Sequence, residues 1–397
     1  MVHVYTFLKK PIFGGCLALC ASAVTLAAPK VSVADYGVTA DGRAVHVYTL
    51  TNDHSVSAKI LDYGGIIAEL NAPDRHGQVK NVVLGVGNLQ AYEATAALNS
   101  LIGRYANRIK GGFTIDGHHY DLVANAKGIT LHSGKPFYGA MVWEGKVVQD
   151  TDRAGVTLSR VSPDGEQGFP GELHIHVTYT LNEANDLRLN YEATTDKPTV
   201  VALTNHVYFN LAGNGSGDVY GQKLQVMADQ YTPTDADLVP TGELAPVAGT
   251  ALDFRELTAI GDHIRSSEQP ILYGYGYDHN FVLRKPAGDP LPLAVRMYDP
   301  ASGRMLEVRT TEPGVQVYSA NHMTGDLVSA VGTTIRQGDG LALEFEHFPN
   351  SPNEPRFPST LLRPGETLRS STVFHVTTAA LGIRRVPAMK GTGSGGE

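Results

Sequence analysis

Along most of the chain, apolar and polar residues alternate in short runs, and the alternation stops at Gly, Asn, Asp or Pro. "AVHVYTL" (44–50), "ELHIHVTYTL" (172–181), "DLRLNYEATT" (186–195), "GVQVYSAN" (314–321) and "TLRSSTVFHV" (367–376) are typical. A period of two puts successive side chains on opposite faces, so each run reads as a strand. Helix-period stretches are sparse. Many short strands separated by turn residues predict an all-β chain, a large single-domain antiparallel β-sandwich or barrel, and not alternating βα units. No repeat of fixed period and no linker interrupts it. The expected domain runs over 29–385, followed by a flexible tail at 386–397 that ends in "KGTGSGGE".

One of these runs carries acids. In "LALEFEHFPNSPNEP" (341–355), Leu341, Leu343 and Phe345 point one way, while Ala342, Glu344 and Glu346 point the other. The first face is built for a core. The second is either a wet outer face or the wall of a cleft where a carboxylate has work to do. Elsewhere Thr204 and His206 share a side opposite Leu203 and Asn205, and Gln316 and Tyr318 share a side opposite Val315 and Val317. Polar groups thus recur on one side of successive strands.

Composition narrows the reading. The chain has 397 residues and 42% hydrophobic content, enough for a large core. Lys9 and Lys10 precede an apolar stretch that closes in small residues, the layout of a secretory signal over 1–28, with cleavage near Ala27 or Ala28. The expected localisation is therefore exported, either periplasmic or secreted, with no membrane association after cleavage. Both cysteines, Cys16 and Cys20, fall in this segment, which excludes thiol catalysis and disulfides in the exported chain. Cleavage removes two of 32 basic residues and none of 40 acids, leaving a net charge of −10. That balance argues against nucleic acid and anionic membranes as partners and favours a neutral small molecule. "GVGNLQ" lacks the third glycine of a dinucleotide loop, and neither a phosphate-binding lysine loop nor HExxH is present. "HIH" (174–176) has no evident third ligand, and "HHY" (118–120) reads as ordinary strand surface. No cofactor or metal is expected.

Distinctive polar residues remain: Arg104, Asn107 and Arg108 in "IGRYANRIKGG", His132 in "ITLHSG", His206 in "LTNHVYFNLAG", Asp278 and His279 in "YGYDHNF", and Gln316 in "TTEPGVQVYSANH". Through "GRYANRI", "LHSG", "DGEQGFPGEL", "TNHVYFNL", "YDHNF", "EPGVQVY" and "LALEFEHFPNSPNEPRFPSTLLRPGE", in that order from about Tyr36 to Val376, the chain resembles the aldose 1-epimerases, or galactose mutarotases. The resemblance implies a mutarotase-like β-supersandwich and interconversion of the α and β anomers of free aldohexoses such as glucose and galactose. By motif position it implies Glu344 as base, His206 as acid and His132 in support, with Asn107, Arg108, Asp278 and Gln316 holding a monosaccharide. The assembly expected is a monomer or homodimer.

The implied chemistry needs one base to take the C1 hydroxyl proton and one acid to protonate the ring oxygen, a carboxylate and an imidazole near neutral pH. Arg108 and His132 would stabilise charge on sugar oxygens, and Asp278 and Gln316 would fix hydroxyls. Phe169, Trp143 or Tyr208 could lie against a sugar face, but core packing suits each of them better. Two residues depart from the family pattern. Ser133 stands where glycine is common, and Glu346 where glutamine is often found; Glu346 would either raise the pKa of Glu344 or point into solvent. Between the two acids, distance from the Pro349–Pro352 loop makes Glu344 the deeper and favours it as base. The competing classes are a non-catalytic carbohydrate-binding module and a glycosidase using Asp278 and Glu344.

Overall fold

A computed structural model describes residues 1–3, 28–95 and 97–378. The signal expected over 1–28 lies almost wholly, and the tail expected over 386–397 wholly, outside the described residues. The described part is a strand-rich sandwich; its α-helices are the short Leu89–Glu93 and Gln269–Gly274. No described helix is long and apolar enough to cross a membrane.

The larger sheet has nine strands, all paired antiparallel. The meander Glu144–Gln149, Arg153–Ser162, Leu173–Asn182 and Asp186–Thr195 leads into the last strand, Leu368–Thr378. Arg304–Thr310, Leu293–Tyr298, Lys223–Val226 and Thr258–Ala259 complete it. A six-stranded sheet runs Tyr208–Phe209, Leu341–Glu346, Gly314–Tyr318, Asp278–Leu283, Ala228–Tyr231, Ala245–Pro246. The N-terminal strands from Lys30 to Asn81 make a separate five-stranded sheet.

Alternation explains how the sheets stack. Val315, Val317, Leu341, Leu343 and Phe345 of the six-stranded sheet share one buried cluster with Leu187, Val295, Met297, Leu306 and Phe374 of the nine-stranded sheet. Phe374 sits between the sheets, its ring 5.3 Å from Phe209 and 6.2 Å from Phe345. Truncating such a ring costs about 3–5 kcal/mol in transfer and cavity terms. Trp143 and Phe169 are core residues, as expected. Trp143, 3% exposed, donates its indole N–H to the Tyr138 carbonyl at 3.3 Å and packs edge-on against the Tyr138 ring.

Two strand-like runs of the sequence are broken up in the fold. "TVVALTNHVYFNL" reads as one strand, but forms the three two-residue strands Thr199–Val200, Thr204–Asn205 and Tyr208–Phe209. Each pairs with a different partner, Leu361–Leu362, Leu101–Ile102 and the acidic strand, so this nearly fully buried segment crosses between sheets. "GGFTIDGHHYDL" is a hairpin, Phe113–Ile115 with His118–Tyr120, turning at Asp116 and Gly117, both at positive φ.

Candidate active site

The strand Leu341–Glu346 pairs with Gly314–Tyr318 so that Glu344 faces Gln316 and Glu346 faces Gly314. Gly314–Tyr318 in turn pairs with Asp278–Leu283, which sets Asp278 opposite Tyr318 and Asn280 opposite Gln316. Parity then gathers Glu344, Glu346, Gln316, Tyr318, Asp278 and Asn280 on the face turned away from the core. The wet-face reading fails. All six residues of Leu341–Glu346 are buried, with Glu344 2% and Glu346 0% exposed. The expectation that Glu344 is the deeper acid, and that Glu346 could point into solvent, is corrected with it: other elements cover the strand to its end, so depth does not choose between them.

Two other segments reach this face. Leu131 pairs with Arg108 between the strands Ile129–Leu131 and Arg108–Lys110, and beyond that pair the chain turns through His132, Ser133 and Gly134, all at positive φ. Asn107 is also at positive φ, a region that Asn and His tolerate better than most residues. A four-bond ladder fixes this geometry. The Asn107 N–H donates to His132 Nδ1 at 3.1 Å and the His132 N–H to the Asn107 carbonyl at 2.9 Å. The Tyr105 N–H donates to Ser133 Oγ at 2.7 Å, and that hydroxyl donates back to the Tyr105 carbonyl at 3.2 Å. Ser133 thus has a structural use that a glycine at this position would lack.

His206 lies between two of the short buried strands, and its ring stacks on Tyr208 at 4.8 Å. Its Nε2 is 3.4 Å from Glu344 Oε1, and the His132 ring is 5.5 Å away, edge-on. One ligand atom each from His132, His206 and Glu344 all fall within 4.8 Å of one another. Around them runs a polar relay. Arg108 donates to Asn107 Oδ1 at 3.1 Å and reaches Asp278 at 3.4 Å, while Gln316 donates to Asp278 at 2.6 Å. Asn107 donates to Glu346 Oε1 at 3.2 Å. All seven residues singled out by motif position, Asn107, Arg108, His132, His206, Asp278, Gln316 and Glu344, therefore meet in one place.

Burial governs the charge states. It raises the Glu344 pKa to about 8, helped by Asp278 and opposed by Arg108. Burial lowers the His206 pKa to about 4, opposed by the Asp278 charge. His132 is held well below the usual imidazole value by burial, then by His206 and Arg108. Since His132 Nδ1 accepts an amide proton, its ring hydrogen sits on Nε2 and makes that nitrogen a donor. The three residues are close enough to hold an ion, but His132 then lacks the free Nε2 lone pair that a metal ligand needs. Four buried oxygens on this face, Glu344 Oε2, Glu346 Oε2, Gln316 Oε1 and Asn280 Oδ1, find no protein partner. A polyhydroxylated ligand, whose hydroxyls both donate and accept, pairs them.

Other sequence candidates stand outside. Arg104 is fully buried and donates to the Ser162, Pro163, Pro170 and Gly171 carbonyls, bracing the 162–171 loop. Gln167 of that loop holds the Gly134 and Pro136 carbonyls beyond His132. His279 packs on the core side, its Nδ1 accepting the Asp278 N–H. His174 and His176 are on the surface, bonded to Glu172 and Ser159. Tyr208 is a buried core residue, as expected, and it also stacks under His206, a role that sequence reasoning missed although positions 206 and 208 share parity. A groove of about 1190 Å³ lies elsewhere, and its arginines are already paired, Arg284 with Asp229, Arg255 with Asp253 and Arg296 with Glu307.

Residues 46–375 match the family described as aldose 1-epimerase. Galactose mutarotase of Rattus norvegicus is 41% identical over 340 residues, 85% of this chain and 96% of that protein. Aldose 1-epimerase of Escherichia coli K12 is 37% identical over 339 residues, 84% of this chain and 96% of that protein. The crystal structure of galactose 1-epimerase from Lactobacillus acidophilus superposes with a TM-score of 0.78 at 27% identity, covering 88% of this chain and 99% of that one.

Proposed function

We propose a division of labour for a chain that belongs to the aldose 1-epimerase family and, as an isomerase, interconverts the α and β anomers of aldoses. The observation that carries it is the approach of His206 Nε2 to Glu344 Oε1, 3.4 Å apart with His132 beside them. Glu344, as carboxylate, takes the proton of the C1 hydroxyl. The O–H electrons form the C1 carbonyl, the bond from C1 to the ring oxygen breaks, and that oxygen takes the proton of His206 Nε2. Rotation about C1–C2 presents the other aldehyde face, and closure returns both protons. Asn107, Arg108, Asp278 and Gln316 hold the hydroxyls, and the His132 Nε2–H donates to a sugar oxygen.

The proton count closes within the pair. In the empty site the proton shared by the two groups rests on Glu344, because burial favours both neutral forms. The reactive form, Glu344 ionised and His206 protonated, has the same net charge. Burial opposes that form in the empty enzyme, while the 3.4 Å approach of the two opposite charges favours it. Arg108 favours the anion and Asp278 the cation, and binding of sugar supplies the remainder. A glycosidase pairing of Asp278 with Glu344 fits less well, since Arg108 and Gln316 occupy both Asp278 oxygens.

Galactose and glucose are the proposed substrates. Freshly dissolved α-galactose or α-glucose should reach rotational equilibrium faster with the enzyme; an unchanged rate would leave only a sugar-binding module. The order of basic, apolar and small residues at the N-terminus further supports export. Mass measurement of the exported protein should find a chain beginning between Ala28 and Lys30, and an intact Met1 would overturn that.

A further inference from the structure

Glu346 is fully buried, and no described cation lies within ion-pair distance of it. The charges that reach it are those of Glu344 on its own strand, Glu312 just ahead of the paired strand, and Asp278 on the strand beyond. All three are acids, and Glu312 is itself held by His347 at 2.7 Å. A carboxylate here would be a buried anion with no cation to balance it. Its hydrogen bonding agrees: Oε1 accepts from Asn107 Nδ2 at 3.2 Å, while Oε2 has no partner. Oε2 is unpaired in either state, and leaving a buried neutral O–H unpaired costs less than leaving a buried charge unpaired.

We propose that Glu346 is a positioning residue that works as the uncharged acid, its carbonyl oxygen holding the Asn107 amide and its O–H offered to the bound sugar. Asn107 is the hinge of the relay, since its N–H fixes the His132 tautomer and its side-chain oxygen fixes Arg108. Glu346 therefore acts on the sugar-holding groups through Asn107. Burial and the Glu344 charge push its pKa in the same direction, well above the usual carboxylate range.

The inference deepens the mutarotase reading of this site and rests on it, so the test has one arm that needs no turnover. Glu346→Ala should raise KM about tenfold or more, with kcat changed less, because Asn107 loses its acceptor. Glu346→Gln keeps a carbonyl and a donor, and should restore KM to within about threefold of the parent. In urea, Glu346→Gln should unfold at the parent's midpoint near pH 4.5 and at a progressively higher one towards pH 8, since only the parent must hold a proton there. A Glu346→Gln enzyme as inactive as Glu344→Gln, or a midpoint difference that does not grow with pH, would overturn the proposal. If Glu346→Ala does not fold, the glutamine variant decides both arms. Absence of epimerase activity in the parent would sink the functional reading and leave the urea arm to decide the protonation state.

Discussion

Replacing Glu344 with glutamine should produce an enzyme that is nearly dead and yet more stable. Glutamine keeps the shape but cannot accept a proton, so kcat should fall roughly 10²-fold or more, the size of a lost general base. Stability moves the other way. The carboxyl's folded pKa is raised from 4.5 to about 8 by burial. A raised pKa contributes its full stability below 4.5 and loses it as pH climbs towards 8. At about 1.4 kcal/mol per pH unit, the parent gives up about 3 kcal/mol by pH 7 and only about 1 kcal/mol at pH 5. Glutamine has no proton to hold and escapes that loss. Polarimetry measures the first effect, and urea denaturation followed by circular dichroism at pH 5 and pH 7 the second. A constant stability difference between the two pH values would mean that Glu344 is ionised in the empty site. Normal turnover would remove it as the base.

Three further outcomes are expected. The rate should trace a bell against pH, because the active pair carries one proton: His206 takes a second below about pH 4, and Glu344 releases the only one above about pH 8; a level profile from pH 3 to 10 would contradict this. Chelators should leave the rate unchanged, as the His132 tautomer has no lone pair to give a metal; loss of activity restored by zinc would show otherwise. Ser133→Ala should cost about 2 kcal/mol in thermal unfolding, and Ser133→Gly less, since both lose the Tyr105 hydrogen bonds but only glycine relieves the positive φ; equal losses would mean that the backbone there is unstrained.

Strand parity carried the sequence reading a long way. Val315 and Val317 do face the core while Gln316 and Tyr318 face the site, and motif position brought together residues as distant as Asn107 and Glu344. Parity assigns a face and says nothing of depth, so it could not show that Glu346 is as enclosed as Glu344. Depth comes from what other segments lay over the strand. The short strands from Thr199 to Phe209 were illegible for a similar reason: a run buried on every side shows no alternation to break. The turn at His132 and Ser133 depends on positive φ at two residues that carry side chains, and Gly134 announces only its last position.

Trp143 is the chain's one tryptophan, and its setting makes the protein its own optical reporter. Excited apart from the tyrosines, its emission comes from a single known place, indole on the Tyr138 carbonyl and ring against ring. Tyr138 in turn follows the turn that carries His132 and lies under the Arg160 guanidinium at 4.8 Å. A red shift would signal water reaching this one seam, so unfolding there can be timed separately from loss of sheet structure. A change in emission when sugar is added would report movement at the Trp143–Tyr138 contact, without any label attached to the protein.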